Sequence, residues 1–178
     1  MSSPKKSKTS GGTAPAGKPA THRYPAAARD DAHGHLVAEV SSAYHADPQT
    51  RIDIIRQGVP ASSIADLSAR MGISKEVLLA ILGMSRATIS RKEKNVTRLS
   101  KDESERVLGI EMLIGRVQAM VEQSGQPVGF DAARWVADWL ANPVPALAGA
   151  TPASYMDTFE GQKLLVDLLA QSQSGVYA

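Results

Sequence analysis

The sequence predicts an all-α fold. Hydrophobic residues make up 43% of the 178 residues, but aromatic residues only 4%. A core with so few rings must be built mainly from Leu, Ile, Val, Met and Ala, which pack well between helices. Apolar residues recur at helical spacing, and no alternating run bounded by turn residues indicates a strand. We therefore expect helices packed on helices, in one moderate core or two small ones.

Residues 1–35 are predicted to form a disordered basic arm. They are rich in Ser, Thr, Gly, Pro, Ala and Lys and show no apolar period, so they cannot bury enough surface to offset the entropy of ordering. Residues 1–29 carry six basic and no acidic residues. Such an arm either adds non-specific attraction to DNA or only keeps the protein soluble.

Helices are predicted from Leu36 onward, where apolar residues begin to share one face. Asp47 and Pro48 are typical of an N-cap and a first helical position, and they open a second helix that ends at Gly58. Ser62 or Ser63 opens a third helix that ends at Gly72. These short helices are interpreted as a scaffold within a helical domain of residues 36–100.

Residues 74–94 are predicted to form a helix-turn-helix. Ser74 and Ser85 cap its two helices, and Gly83 permits the tight turn between them. Four apolar or small residues are placed toward the core or near the helix crossing: Leu78, Ala80, Leu82 and Ile89. The opposite face of the second helix is then free to enter a major groove.

This second helix lies in a strongly basic block. Residues 70–101 carry eight basic and two acidic residues, whereas residues 102–178 carry four basic and ten acidic residues. A polyanionic partner therefore fits the first block and not the second. The candidate DNA contacts are Ser85, Arg86, Ala87, Ser90, Arg91, Lys92 and Lys94.

These side chains match the chemistry of DNA. Arg86 or Arg91 can donate a pair of hydrogen bonds to guanine, and the Ala87 methyl can contact a thymine methyl. Lys92 and Lys94 are placed to contact phosphates, which positions the protein without reading sequence. Because one helix covers only a few base pairs, we expect a homodimer on an inverted repeat. A basic amphipathic hairpin with another role would look similar, but its place inside the basic block favours DNA binding.

The acidic half is predicted to contain a connecting helix over residues 101–125 and a small helical unit of residues 126–178. Ser100 and Glu103 have the spacing of a capping box at the start of the connecting helix. In the following unit, Trp135 and Trp139 lie four residues apart in one helix. They are interpreted as stacked core anchors in preference to a binding site.

The chain ends in an apolar segment, Gly175-Val176-Tyr177-Ala178, which follows an amphipathic helix. The leucines of that helix are predicted to share one face: Leu164, Leu165, Leu168 and Leu169. An apolar tail gains nothing from facing water, so we expect it to be buried in a partner. A frayed terminus is the alternative.

Several classes of function are not expected. The chain has no cysteine, which excludes disulfides, thiolate metal sites and a cysteine nucleophile. The four histidines lack a surrounding cluster of ligands, so we expect no metal site. We find no signal core, no apolar run that could span a membrane and no catalytic motif. We therefore expect a soluble cytoplasmic protein without catalytic residues or a cofactor.

Motifs in the C-terminal half resemble the toxin-binding domain of the Xre/MbcA/ParS antitoxins. These motifs are residues 130–140, 146–152 and 157–161 and the terminal Gly175-Val176-Tyr177-Ala178. Residues 85–91 resemble the Xre-type helix-turn-helix that precedes this domain. The resemblance covers about residues 50–178 and leaves residues 1–35 outside. Ala148 departs from the pattern, because the family often has a second glycine there.

The resemblance implies a type II antitoxin paired with a RES-domain toxin, an enzyme that degrades cellular NAD. In such pairs the C-terminal segment of the antitoxin enters the active-site cleft of the toxin, and the helix-turn-helix binds operator DNA and represses the operon. A homodimer within a higher-order toxin–antitoxin complex is expected. The residues expected at the toxin contact are Gly149, Gly161, Gly175, Val176, Tyr177 and Ala178.

Two other functions are left open by the residues. The first is a one-component helix-turn-helix transcription regulator whose acidic C-terminal domain binds a small effector. The second is a nucleoid protein that binds DNA without sequence preference. A neighbouring gene that encodes a RES domain would distinguish the antitoxin from both.

Overall fold

The computed structural model describes residues 1, 40, 42–125 and 128–173. Within these residues the chain forms seven α-helices and no strand, which confirms the all-α class. The helices are α1 (Pro48–Gln57), α2 (Ser63–Met71), α3 (Lys75–Ile81), α4 (Arg86–Lys94), α5 (Lys101–Gln123), α6 (Ala132–Ala141) and α7 (Phe159–Gln173). Apart from Met1, the predicted arm of residues 1–35 lies outside the described residues, and so does the start of the helix predicted from Leu36.

The helix ends follow local signals in the sequence. Before α1, the Asp47 carboxylate accepts hydrogen bonds from two backbone N–H groups of the first turn, at 2.9 and 3.1 Å. Pro48 occupies the first helical position, and Gly58 follows the last. The next helix begins at Ser63 and ends before Gly72, as predicted. These signals act within one turn of the chain, so the sequence reveals them directly.

The longest helix, α5, is the centre of the fold. It packs against α1, α6 and α7. Two of its glycines lie where neighbouring segments come closest. A Cβ atom on Gly109 would lie 2.0 Å from Oε1 of Gln162 in α7, and one on Gly115 would lie 2.2 Å from Cβ of Tyr44. Each glycine therefore permits a contact that any larger residue would disturb.

One ion pair between α2 and α5 has a buried carboxylate and a partly exposed guanidinium. Glu111 is 3% exposed, and its carboxylate pairs with the guanidinium of Arg70 in the last turn of α2. Burial raises the pKa of Glu111, and the charge of Arg70 opposes this rise. Arg70 belongs to the basic block of residues 70–101, but the structure engages it inside the fold.

The expectation of two core anchors in α6 is wrong for Trp135, whereas Trp139 is partly buried and packs against the core. Trp135 is 39% exposed and Trp139 is half-buried, and their stacked rings lie 6.2 Å apart at an angle of 12°. The buried stripe of α6 is formed instead by Ala132, Ala133, Val136, Ala137 and Leu140. Because this stripe is rich in alanine, α6 packs closely against α2 and α5.

Ala80 also differs from the expectation that it lies toward the core or near the helix crossing. It is exposed, because the buried side of α3 is formed by Leu78 and Leu79. The leucine face of α7 is narrower than predicted as well. Leu165 and Leu169 are buried, whereas Leu164 is exposed.

Ala148 follows the 3-10 turn Pro145–Leu147 and has a φ angle of 53°. This left-handed conformation costs a residue with a Cβ atom about 1 kcal/mol or more. We expect Ala148→Gly to raise the free energy of unfolding by up to about 1 kcal/mol in chemical denaturation. The matched control Ala146→Gly, inside the turn, should lower it by about 0.5–1 kcal/mol. A lower free energy of unfolding in both variants would contradict the expectation that glycine relieves backbone strain at residue 148.

Candidate functional site

Helices α3 and α4 form the predicted helix-turn-helix. The Ser74 hydroxyl accepts a hydrogen bond from the backbone N–H of Val77 at 3.2 Å and caps α3. The Ser85 hydroxyl caps α4 in the same way, with the backbone N–H of Thr88 at 3.4 Å. Gly83 lies in the turn between the helices with a φ angle of 60°. Three apolar side chains anchor the hairpin and are fully buried: Leu78, Leu82 and Ile89.

One face of α4 is open to solvent. The exposed residues on or beside it are Ser85, Arg86, Ala87, Ser90, Arg91 and Lys94. The guanidinium of Arg86 lies 3.4 Å from a carboxylate oxygen of Glu76 in α3, and both side chains are largely exposed. This exposed pair contributes little to stability. It does orient Arg86 at the first position of α4.

Lys92 differs from the other candidate DNA contacts. Its ammonium group pairs with the Glu103 carboxylate at the start of α5, and both side chains are mostly buried. Glu103 also accepts a hydrogen bond from the backbone N–H of Ser100 at 2.6 Å, which completes the predicted capping box. Burial acts to raise the pKa of Glu103, but the bonds from Lys92 and Ser100 outweigh it and lower this pKa. Lys92 thus fastens α4 to α5.

The turn of the hairpin is also joined to the C-terminal part of the chain. Nη1 of Arg106 in α5 donates hydrogen bonds to the carbonyl oxygens of Leu82 and Gly83, both at 3.2 Å. Nε2 of the buried Gln162 donates to the carbonyl oxygens of Met156, at 2.9 Å, and of Arg106, at 3.3 Å. The same residues therefore hold α7 on α5 and α5 on the hairpin. No pattern in the sequence indicates this connection.

Two glycines expected at the toxin contact have different surroundings. Gly149 is exposed, with a φ angle of 83°, and a Cβ atom there would have no neighbour within 4 Å. Gly161 is buried, and a Cβ atom there would lie 2.0 Å from the carbonyl oxygen of Tyr155. Gly161 therefore allows the 3-10 turn Pro152–Tyr155 to approach α7. Gly175, Val176, Tyr177 and Ala178 lie outside the described residues.

The C-terminal part of the chain exposes several large apolar side chains. Among the described residues they include Trp135, Phe159 and Leu164. A cavity of about 440 Å³ lies beside Phe159, between α1, α5 and α7. The exposure of Trp135 was not predicted from the sequence. The alanine-rich stripe of α6 could have revealed this exposure. The stripe forms the side of α6 that faces the core, and residues on the other side are left open to solvent.

The described part of the chain offers neither a metal cluster nor a membrane span. Residues 42–125 and 128–173 hold no group of three His, Asp or Glu side chains that could bind a metal ion. Among the described helices, none combines the length and apolar character that crossing a membrane requires.

Comparison with known proteins identifies both regions. Residues 50–110 match a family model described as the antitoxin Xre-like helix-turn-helix domain, and residues 128–175 match the antitoxin Xre/MbcA/ParS C-terminal toxin-binding domain. A protein of Sphingobium sp. (strain YBL2) named Prs ADP-ribosylating antitoxin is 42% identical over 135 residues, which are 76% of this chain and 85% of the relative. Antitoxin Xre of Yersinia enterocolitica is 23% identical over 127 residues, 71% of this chain and 80% of that protein. The chain belongs to the Xre/MbcA/ParS family of antitoxins.

Proposed function

We propose that this antitoxin neutralises a RES-domain toxin that degrades NAD, by placing its C-terminal segment in the active site of the toxin. The observation that carries the proposal is the position of this segment. Leu165 and Leu169 bury the inner face of α7 against the core, and α7 extends to Gln173. The apolar residues Val176 and Tyr177 therefore follow an anchored helix within four residues of its end, just beyond the matched toxin-binding domain.

The name of the Sphingobium relative supports a second candidate for the toxin, namely an ADP-ribosylating enzyme. The name refers to ADP-ribosylation, a reaction that takes its ADP-ribose group from NAD. A toxin of either kind needs a pocket for NAD. The Tyr177 ring is large and rigid and can fill such a pocket, while its hydroxyl group forms a hydrogen bond.

The proposed second role is repression of the toxin–antitoxin operon. This role places the protein in the cytoplasm. It is supported by the exposed basic face of α4, where Arg86 and Arg91 are available to bases and Lys94 to phosphates. Lys92 takes a positioning role in this proposal, because its ammonium group is occupied by Glu103. A homodimer would present two such helices to an inverted repeat. Membership of an antitoxin family favours this function over an effector-binding regulator or a nucleoid protein.

Arg91 and Lys94 provide a matched test of DNA reading, because each change to alanine removes one positive charge from α4. We expect Arg91→Ala to weaken binding to the operon promoter by about 1–3 kcal/mol and to reduce discrimination against a random duplex. Lys94→Ala should weaken both complexes evenly and reduce the salt slope by about 1. Titrations at several salt concentrations measure both effects. Equal losses on promoter and random DNA in Arg91→Ala would contradict base reading by this residue.

The tail is tested by deleting residues 175–178. The deletion removes the apolar residues Val176 and Tyr177 but leaves α7 intact, so folding and promoter binding should persist. Neutralisation should fail. The measurement is co-expression with the toxin encoded by the adjacent gene, scored by survival, NAD level and ADP-ribosylation of cellular protein. Tyr177→Ala should reproduce most of the loss, and full protection by the truncated protein would refute the active-site role of the tail.

A further inference from the structure

The stacked tryptophans of α6 present one exposed indole ring, that of Trp135. Trp135 and Trp139 are the only tryptophans in the sequence, and they stack on the outer side of α6 with ring centroids 6.2 Å apart. Trp135 is 39% exposed. The inner side of α6 is filled by small and aliphatic side chains, so Trp135 is not needed to complete the core, whereas Trp139 packs partly against it. Indole rings gain more than most side chains when a partner covers them.

Asp138 adds a charge to this surface. It is exposed and lies three residues after Trp135, so both side chains are on the same face of α6. Two other carboxylates in this region are paired: Asp131 lies 3.4 Å from Arg134, and Asp167 lies 3.0 Å from Lys163. No ion pair to the Asp138 carboxylate is found among the described residues. A solvent-facing carboxylate beside an exposed indole is therefore available to a partner.

The chemistry of this surface selects a cationic partner. An arginine side chain can stack its planar guanidinium group on an indole ring and donate two hydrogen bonds to a neighbouring carboxylate. The surrounding charge favours the same partner, because residues 128–173 carry five acidic and two basic residues, and both basic residues are in the ion pairs above. DNA is disfavoured, since Asp138 would repel its phosphates.

We propose that Trp135, Trp139 and Asp138 bind an arginine-bearing surface of the toxin outside its active site. The inference rests on the proposed function for the identity of the partner. These three residues lie within residues 128–175, the segment that matches the toxin-binding domain. They belong to a different element from the tail, which follows α7 in the sequence. The toxin is thus held at two points, by α6 and by the tail.

Two-point binding separates affinity from inhibition. The α6 surface contributes affinity, and it also keeps the tail at a high effective concentration near the active site. The tail blocks turnover. Loss of the α6 surface should therefore weaken the complex without abolishing inhibition at saturating antitoxin. Loss of the tail should abolish inhibition and leave measurable binding.

The test is isothermal titration of the purified toxin with full-length antitoxin and with antitoxin lacking residues 175–178. Trp135→Ala should raise Kd about ten-fold or more in both backgrounds. In the full-length protein it should still allow complete inhibition at saturation. Asp138→Asn should raise Kd less and weaken its dependence on salt. Val77→Ala is the control, because Val77 is an apolar residue of α3 that is 49% exposed and lies outside the toxin-binding segment.

Thermal melts establish that each variant folds. Asp138→Lys provides a second variant at an exposed position in case Trp135→Ala is unstable, and its reversed charge should weaken binding more than Asp138→Asn does. An unchanged Kd in the folded variants would overturn the proposal. Full protection by the truncated protein would instead refute only the role of the tail, because the α6 surface is measured in that background too. A toxin that does not bind the wild-type antitoxin would contradict both.

Fluorescence of the free antitoxin tests the other possible occupants of the surface. Because both tryptophans lie in α6, their emission reports on this surface alone. We expect the emission to be unchanged when residues 1–35 are removed and when the protein is diluted. A shift on removal would identify the basic arm as the occupant, and a shift on dilution would identify a second copy of the chain. Either shift would overturn assignment of the surface to the toxin.

Discussion

The contact between Gly109 of α5 and Gln162 of α7 is the constraint on which the rest of the structure depends. Only a residue without a Cβ atom lets the buried Gln162 amide lie against α5, since a Cβ would come within 2.0 Å of it. From this position the amide donates to the carbonyl oxygens of Met156 and Arg106. Arg106 in turn donates to the turn between α3 and α4. A single helix thus connects the two functional regions.

This arrangement places two different surfaces on one body. At one end of α5, Glu103 holds Lys92 and with it the second helix of the helix-turn-helix, α4. Further along, α6 and α7 pack on α5, and α6 exposes Trp135 and Asp138. The segregated charge of the sequence corresponds to this division, because a basic surface and an acidic surface serve partners of opposite charge. Since the connecting contacts are buried or hydrogen-bonded, a partner on one surface acts on a fold that is shared with the other.

The sequence predicts the features that depend on short-range chemistry. The capping box of Ser100 and Glu103 and the caps of the helix-turn-helix at Ser74 and Ser85 each involve residues within one turn, so their spacing identifies them. Contacts between distant segments are not visible in this way. Lys92 looks like any surface lysine until α5 brings Glu103 beside it. The tail contact and the DNA contacts are still predictions, because their partners are not in the structure.

The tryptophan pair shows why residue type alone misleads. Large aromatic residues are usually buried, and Trp135 would be too if its helix faced the core on that side. The alanines of α6 decide which side of this helix faces the core, because their small side chains allow α6 to pack closely against α2. The glycines within α5 likewise indicate where a neighbouring segment packs closely. Gly109 costs helix stability relative to alanine, which indicates that a neighbour needs the space.

The central claim is that α5 holds the hairpin and the toxin-binding region as one unit, and Gly109→Ala tests it most directly. The added methyl displaces the Gln162 amide and breaks its link to Arg106. Hydrogen exchange, followed by mass spectrometry, should show reduced protection in α7 and in the turn between α3 and α4 together. The control Gly115→Ala, on the same helix, should disturb the contact with Tyr44 and spare both regions. Reduced protection in α7 alone would contradict the claim.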